Sequence, residues 1–342
     1  MKILLGMSGG LDSTYSAELL KAAGHTVEGA VLKMHEYTDI AGAEKAAKRA
    51  GIPFHVIDCT EAFEKHVASY FAEEYRKGRT PNPCTVCNRE VKIESLVRYA
   101  EENGFDKAAT GHYAQVGSEN GRYYIADGAD ERKNQSYMLW KLSQEQIKKL
   151  IFPLGDKIKS DVKETARDLG LEAAGKPESQ DICFLPNGGY AEFVEKRLGI
   201  SPEGNFIDVS GRILGRHKGI INYTVGQRRG LGIALGERMF VSAISPEDNT
   251  VTLQNASGEG FTSATLTDMN YQLLSESAAF DELKVDVKIR YTARPTEARL
   301  ILNGDRARLI FNAPIKAVTP GQSAVMYRDG KILAGGIIDR AE

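Results

Sequence analysis

The sequence predicts an α/β protein in which a doubly wound parallel sheet is followed by two small all-β domains. Strand-like and helix-like segments alternate through about the first hundred residues, and short alternating apolar runs replace them beyond about residue 200. The chain has 342 residues, and a domain averages about 150 residues. We therefore expect domains at 1–203, 204–258 and 259–342, the last of them barrel-like.

The N-terminal elements follow from their periodicity. Lys2–Leu5 is a short apolar run, and Ser13–Ala23 has apolar residues at helical spacing before Gly24. Alternation of this kind indicates a parallel sheet, whose ligands bind at the carboxyl ends of the strands. Further strands are expected at Thr26–Lys33, Phe54–Asp58 and Ala108–Gly111, and further helices at Ala41–Ala50, Glu61–Arg76 and Ile93–Asn103.

The C-terminal region lacks a long helical pattern. Its short runs are separated by Gly, Asn, Asp and Pro, which is typical of all-β domains. The expected strands include Ile213–Leu214, Phe240–Ile244, Thr250–Gln254, Val285–Tyr291, Ala298–Leu302, Arg308–Phe311, Ser323–Tyr327 and Ile332–Ile338.

Composition excludes several classes of protein. Hydrophobic residues make up 42% and charged residues 26%, which does not suit a collagen-like, coiled-coil or disordered chain. No apolar stretch approaches the ~20 residues of a membrane helix, and the N-terminus lacks a signal peptide's apolar core. We therefore expect a cytoplasmic protein with no membrane partner.

Positive charge is concentrated in one segment, although the net charge is −2. Gly211–Gly230 contains five cations and no Asp or Glu, which favours a polyanionic partner over a merely solvated face. The five cations are Arg212, Arg216, Lys218, Arg228 and Arg229.

A glycine-rich turn joins the first strand to the first helix. Gly6-Met7-Ser8-Gly9-Gly10-Leu11-Asp12-Ser13 lets backbone N–H groups approach an anion at a helix N-terminus. No Gly-Lys-Ser/Thr follows, so the turn is not a Walker loop, and it is not a dinucleotide fingerprint either. The pattern favours phosphate binding over a simple glycine turn.

Four cysteines are too few for a disulfide framework in a reducing compartment. Cys59 is best interpreted as a small buried hydrophobe. Cys84 and Cys87 form a C-x-x-C pair behind Pro81 and Pro83, which predicts thiols presented from a rigid loop. Such a pair occurs in zinc, redox or cluster sites, and zinc needs four ligands. The third thiol, Cys183, follows the polar run 176–181, which favours exposure.

Together these motifs resemble the tRNA-specific 2-thiouridylases (the MnmA/TrmU type) of the ATP-pyrophosphatase (PP-loop) superfamily, whose fold is adenine nucleotide alpha hydrolase-like. The matches run in order from residue 6 to residue 323. They are the octet Gly6–Ser13, Asn82-Pro83-Cys84-Thr85-Val86-Cys87-Asn88, Thr110-Gly111-His112-Tyr113, Lys133-Asn134-Gln135-Ser136-Tyr137, Ser179-Gln180-Asp181-Ile182-Cys183-Phe184, Gly226–Gly232 and Val318–Ser323.

The resemblance implies two sets of binding residues. For ATP it implies the pyrophosphate loop with Asp12 helping to hold Mg²⁺, and Leu32 and Gly111 at the adenosine part. For tRNA it implies His112, Lys133, Asn134, Gln135, Arg290, Tyr291 and Gln322, to which the basic segment adds Arg228 and Arg229. Cations, amides and a tyrosine suit phosphates, base edges and a splayed base.

The resemblance also implies two schemes for sulfur transfer. In one, Cys183 carries a persulfide that attacks the activated carbon, and Cys87 releases the product by forming a disulfide with Cys183. In the other, Cys84, Cys87 and Cys183 bind a 4Fe–4S cluster that carries a hydrosulfide. Many family members have Asp at the position of Cys84. A second C-x-x-C thiol has no role in persulfide transfer, which favours the cluster.

The expected function is therefore an ATP-dependent tRNA sulfurtransferase that makes 2-thiouridine at the wobble position. Its catalytic residues are Asp12, Cys84, Cys87 and Cys183, and its partners are the tRNA anticodon arm and a sulfur donor protein or sulfide. Two alternatives stay open. A PP-loop amidotransferase-type synthetase acting on a small molecule explains the loop alone, and a non-catalytic zinc-knuckle RNA-binding protein explains only the cysteines and cations.

Overall fold

The computed structural model describes residues 1–171, 182–185, 189–234, 236, 238–255, 260–278 and 280–342. Its strands are β1 (Lys2–Gly6), β2 (Thr26–Lys33), β3 (Phe54–Asp58), β4 (Lys107–Ala109), β5 (Ala114–Glu119), β6 (Arg122–Asp127), β7 (Leu150–Ile151), β8 (Gly204–Ile207), β9 (Ile213–His217), β10 (Met239–Ser245), β11 (Thr250–Asn255), β12 (Phe261–Tyr271), β13 (Leu283–Lys288), β14 (Thr296–Asn303), β15 (Arg306–Ile315), β16 (Ser323–Arg328) and β17 (Lys331–Ala341).

The helices lie mostly in the N-terminal half. Wide π-helical turns at Glu64–Ala68 and Asn88–Ile93 join neighbouring helices into longer ones, and single 3₁₀ turns lie at Ser136–Leu139 and Ile220–Asn222. The helices are α1 (Leu11–Ala22), α2 (Ile40–Ala50), α3 (Thr60–Phe63), α4 (Ser69–Arg76), α5 (Pro83–Cys87), α6 (Glu94–Glu102), α7 (Gln144–Lys148), α8 (Lys159–Asp168) and α9 (Tyr190–Leu198).

The N-terminal sheet is parallel, with the strand order β3-β2-β1-β4-β7. Both of its faces are buried, because Ile3 and Leu5 pack in one core with α1 and α2 while Leu4 packs in another with Leu96 of α6. The sheet is therefore doubly wound, as the sequence predicts. Its strand order reverses at β1, so the loops after β1, β2 and β4 share one edge.

The central domain is a four-stranded sheet of order β10-β11-β8-β9. The expected strands at 213–214, 240–244 and 250–254 lie within β9, β10 and β11, whereas β8 was not anticipated. Gly78 of the N-terminal part packs on this sheet, since a Cβ at that residue would lie 2.8 Å from Ile244 Cγ2.

The C-terminal domain is a closed six-stranded barrel of order β12-β15-β14-β13-β16-β17, which closes through β12–β17 pairing. The barrel-like expectation is confirmed. One boundary differs, because β13 ends at Lys288, so Arg290 and Tyr291 lie beyond the strand and not on its face.

The barrel is joined to the N-terminal part by a shared sheet. The β5–β6 hairpin pairs with β17 through Lys331 and Ala126, which extends the barrel wall by two strands. Gln272, which is fully buried, donates to Leu139 O and Trp140 O and accepts from Ile125 N. No helix in the described ranges is long and apolar enough to cross a bilayer.

Candidate active site

The loop after β1 has the geometry of an anion site. Gly10 precedes α1 without a side-chain cap, so the first-turn N–H groups of α1 have no partner within the helix. Ser13 Oγ accepts from Ser8 N at 3.2 Å and donates to Gly10 O at 3.2 Å, which keeps the loop closed. The amides of this loop can therefore bind a pyrophosphate.

Two glycines fit the loop into its surroundings. Gly9 has φ +73°, and a Cβ there would lie 2.7 Å from the Gly42 carbonyl carbon at the start of α2. A Cβ at Gly111, just past β4, would lie 3.0 Å from the Asp12 carbonyl carbon. Leu32 lies near the end of β2. The structure thus brings the ten residues predicted for the nucleotide to one edge of the sheet.

Asp12 carries the one carboxylate of the loop. Its Oδ1 accepts from Tyr113 Oη at 2.9 Å and from Lys159 Nζ at 2.5 Å. The side chain is 35% exposed, and Mg²⁺ often binds proteins through one carboxylate together with substrate phosphates. The donor set therefore fits the expected ion. Lys159, which approaches from α8, was not predicted.

The cysteine pair lies on a helix, and the expected rigid loop is wrong. Asn82 caps α5 by accepting from Cys84 N at 3.2 Å, and Pro83 occupies the first helical turn, where its missing N–H costs nothing. Cys84 is exposed, whereas Cys87, one turn later, is 4% exposed. Cys183 is exposed, and residues 178–181 of its motif lie outside the described residues.

The three thiols share one electrostatic environment with Lys92. Desolvation raises the pKa of Cys87 to about 12, Cys183 and Cys84 add to the rise, and the Lys92 ammonium opposes it. Desolvation likewise raises the pKa of Cys84, with the same opposition from Lys92. Burial disfavours the charge on Lys92, but the three thiolates together raise the pKa of its ammonium group. Lys92 is therefore the cation that favours thiolates here.

The thiols adjoin the nucleotide edge through the segment that follows β2. Cys87 Sγ lies 3.8 Å from Met34 Sδ, two residues beyond Leu32. The neighbouring His35 ring packs edge-on against Phe63, and neither of its buried nitrogens has a hydrogen-bond partner among the described residues. Burial lowers the pKa of His35, and Lys92 lowers it further. Sequence reasoning gave no signal for His35 or Lys92.

Comparisons with known proteins agree along the whole chain. Residues 1–187 match the family profile described as tRNA methyl transferase HUP domain, 191–255 the tRNA methyl transferase PRC-barrel domain, and 263–338 the aminomethyltransferase beta-barrel domain. The tRNA-specific 2-thiouridylase MnmA of Carboxydothermus hydrogenoformans is 41% identical over 99% of this chain and 98% of the relative. The chain belongs to the tRNA-specific 2-thiouridylase family. The relative of the same name from Acetivibrio thermocellus is 41% identical over 98% of this chain and 99% of its own length, and that from Clostridioides difficile is 38% identical over 99% and 98%.

In this thiouridylase family member the barrel meets the cysteine helix at Tyr137. Its hydroxyl donates to Ser323 O at 2.9 Å, and its ring centroid lies 6.1 Å from that of Tyr291. A hydrogen bond from Asn82 acts on the same hydroxyl. Arg290 is exposed, and Lys133 is close enough to Tyr291 to lower its pKa, which burial raises. Lys133, Arg290 and Tyr291 thus lie near one another.

Three of the amides expected to contact tRNA already make internal hydrogen bonds. Asn134 donates to Asp127 Oδ1 at 2.7 Å, and Gln135 accepts from Tyr113 N at 2.9 Å. Gln322 donates to Thr80 O at 2.8 Å, ahead of the cysteine helix. These bonds position the surrounding segments, and whether the amides also contact tRNA stays a prediction.

His112 and the basic segment are the remaining groups expected to contact tRNA. His112 accepts from or donates to Thr110 Oγ1 at 2.7 Å, and burial lowers its pKa to about 3, with a smaller contribution from Lys92. Arg228 and Arg229 are exposed and make no ion pair in the described ranges. Arg228 and Arg238 line a cavity of about 650 Å³.

No group of three His, Cys, Asp or Glu side chains in the described part of the chain converges on a single metal ion. The zinc interpretation therefore has no support from the described residues. A 4Fe–4S cluster distributes its thiolates over separate irons, so this finding does not test the cluster scheme, which stays a prediction. Cys59, in contrast, is buried with its thiol directed to Ile57 O, as expected.

Proposed function

We propose that this protein is an ATP-dependent tRNA sulfurtransferase that forms 2-thiouridine. The observation that carries the proposal is that Cys87, which interacts electrostatically with Cys84 and Cys183, contacts Met34 just beyond β2, near the edge that bears the anion-binding loop. The full-length relatives named tRNA-specific 2-thiouridylase support tRNA as the substrate. The family resemblance extends the proposal to the wobble uridine of the anticodon arm.

The first step is adenylation of the uridine. The O2 oxygen attacks the α-phosphorus of ATP, the bond to the bridging oxygen breaks, and pyrophosphate leaves with the electron pair into the loop Ser8–Ser13. Asp12 would help to hold Mg²⁺, which would supply positive charge to the phosphates. The product carries AMP on C2, which is a far better leaving group than the original oxygen.

The second step replaces AMP by sulfur. Cys183 is exposed, so its thiolate can attack the outer sulfur of a persulfide on a donor protein, which forms the Cys183 persulfide and releases the donor's thiolate. The terminal sulfur of its persulfide attacks C2 and AMP departs. Cys87 thiolate then attacks Cys183 Sγ, which releases the thiolated uridine and leaves a Cys87–Cys183 disulfide for an external thiol to reduce. Lys92 favours the thiolate that this attack needs.

A cluster chemistry uses the same thiols. Cys84, Cys87 and Cys183 are the residues that would hold a 4Fe–4S group, and that group supplies a hydrosulfide as the nucleophile. This version gives Cys84 a role as a ligand, whereas persulfide transfer gives it none, and this difference supports the cluster version. The adenylation step is the same in both versions.

The decisive experiment measures pyrophosphate and modified nucleoside together. With ATP, tRNA and either a persulfide-loaded donor protein or sulfide, one for each sulfur chemistry, we expect pyrophosphate release that requires tRNA, and 2-thiouridine detectable by mass spectrometry. Asp12→Ala should abolish both, measured at a temperature where circular dichroism shows that the variant is folded, because the buried Lys159 loses its partner. Release without tRNA would favour a small-molecule synthetase, and tRNA binding without release would favour a non-catalytic protein. Formation of methylated tRNA with S-adenosylmethionine would instead support tRNA methyl transfer, the activity named in the description of the family profile.

A further inference from the structure

The nucleotide loop contains no cation, although it is built to bind the most highly charged part of ATP. Between Gly6 and Ser13 the one charged side chain is the carboxylate of Asp12. Phosphoryl-group transfer requires positive charge where pyrophosphate charge develops, and P-loop enzymes supply it with a lysine of the loop itself. A cation from elsewhere in the chain could fill this role.

Lys159 reaches the loop from α8. Its side chain is 6% exposed, its Nζ lies 2.5 Å from Asp12 Oδ1, and the ammonium group lies 5.3 Å from the centroid of the Tyr113 ring. Tyr113 Oη donates to the same carboxylate oxygen. The lysine is therefore directed into the loop by two partners and is not extended into solvent.

The backbone of Lys159 is also fixed. Its N–H donates to Asp130 Oδ2 at 2.9 Å, and Asp130 is itself 9% exposed. The start of α8 is thereby tied to the segment that leads into residues 133–135. The position of the ammonium group is set by tertiary contacts on both sides.

Helix stability does not explain a buried lysine at this position. Lys159 is the first residue of α8, where the helix dipole disfavours a cation. Removing an ammonium group from water is costly, and an apolar side chain of similar length would pack here without that cost. Ligand binding would explain why a buried ion pair that does not favour folding is present at this position.

We propose that Lys159 is the cation that binds the pyrophosphate part of ATP, and that Asp12 and Tyr113 hold it at the loop. This inference rests on the proposed adenylation reaction and names a residue for it. During adenylation the Pα–O bond breaks and its electron pair passes to pyrophosphate, whose new charge Lys159 stabilises. No proton transfer from Lys159 is required.

The test compares Lys159→Met with Lys157→Met and Lys159→Arg. Lys157 is the matched control because it lies two residues away and pairs only with the exposed Asp156 in the described structure. With magnesium pyrophosphate as the calorimetric probe, Lys159→Met should weaken binding about tenfold to a hundredfold. Lys157→Met should not change it, and Lys159→Arg should retain part of it.

A second probe separates ligand binding from folding. AMP lacks the pyrophosphate, so Lys159→Met should bind AMP as the wild type does and should unfold at a similar temperature. At saturating ATP its tRNA-dependent pyrophosphate release should fall about a hundredfold. Equal weakening of AMP and pyrophosphate, or wild-type pyrophosphate affinity, would overturn the assignment to Lys159. Absence of release by the wild type would instead contradict the proposed function, while the pyrophosphate titration would still test Lys159.

Discussion

The nucleotide loop and the cysteine segment (Gly78–Cys87) lie at neighbouring edges of the molecule but are held by different parts of it. The loop is assembled from β1, α1 and the start of α2, and its contacts with Gly111, Tyr113 and Lys159 also lie within the N-terminal part. The cysteine segment is held by residues from all three domains. Arg79 donates to Asp339 Oδ1 at 2.9 Å, Thr80 N donates to Pro320 O at 2.9 Å, and Gly78 packs on Ile244.

This difference separates the two chemical steps. The phosphate-binding groups for adenylation all belong to the N-terminal part, so changes in the barrel should affect this step little. Sulfur transfer uses thiols whose position depends on distant residues, so it should be sensitive to the packing between domains. The variants below test that separation, starting with the largest expected effect.

Cys87→Ser and Cys183→Ser should each eliminate 2-thiouridine formation, because a hydroxyl can neither carry nor release sulfur in this reaction. Pyrophosphate release should persist in both variants, since the phosphate loop is intact. The measurement is mass spectrometry of digested tRNA beside a pyrophosphate assay. Loss of both activities together would mean that the two sites do not act separately.

Cys84 distinguishes the two sulfur chemistries. If a cluster forms, Cys84→Ser should lose the brown absorbance and thiolation together, because serine is a poorer iron ligand than thiolate. If Cys183 carries a persulfide, Cys84→Asp should retain substantial activity. Iron and sulfide analysis of anaerobically purified protein checks the first outcome. Full activity of an iron-free, aerobically purified Cys84→Ser variant would exclude the cluster.

Arg79→Met should disturb the cysteine segment from the barrel side. It removes bonds to Asp339 and Ile338 O and leaves buried Glu74 with only the exposed Lys77, so the protein should lose up to about 3 kcal/mol of stability. Thiolation should fall more than pyrophosphate release at a temperature where the variant is folded. Arg299→Met is the control, because its pair with Glu282 is exposed and worth about 0–1 kcal/mol. Equal loss of both steps would contradict the separation.

Charge reversal at Arg228 and Arg229 should weaken tRNA binding without changing ATP affinity. If each arginine contacts one phosphate, the slope of log affinity against log salt should become shallower by about 1.5 to 2. Filter binding across a salt series measures it. An unchanged slope would show that Gly211–Gly230 is a solvated face.

His112 should contribute to tRNA binding without a pH dependence. Its pKa is lowered to about 3, so the ring is neutral throughout pH 6–8 and acts only as a hydrogen-bonding group. The ratio of tRNA affinities of wild type and His112→Gln should therefore stay constant over that range, as anisotropy can measure. A ratio that grows toward pH 6 would mean that an imidazolium contacts phosphate.

The phosphate loop was predicted from the sequence, but two other local structures, the cysteine helix and the β5–β6 hairpin, were missed, together with the distant contacts. The phosphate loop was predictable because its strand, turn and helix are contiguous. The helical start at the cysteines also had a local signal, since Asn82 and Pro83 are a typical N-cap and first-turn pair. The β5–β6 hairpin had a local signal in Asn120-Gly121, whose φ angles of 51° and 77° suit a tight turn. Lys92, Lys159 and His35 had no local signal, because only the folded chain brings them next to the site.

The pairing of β17 with β12, β16 and β6 has a consequence for the order in which the protein is made. A ribosome releases the N-terminal part first, so the phosphate loop can fold while later residues are still being added. Asp339 and the Ile338 carbonyl, which fix Arg79, emerge about 260 residues after it. During synthesis the nascent chain therefore carries a nucleotide loop before the barrel fixes its cysteine segment, and sulfur loading is expected to wait until β17 has been made.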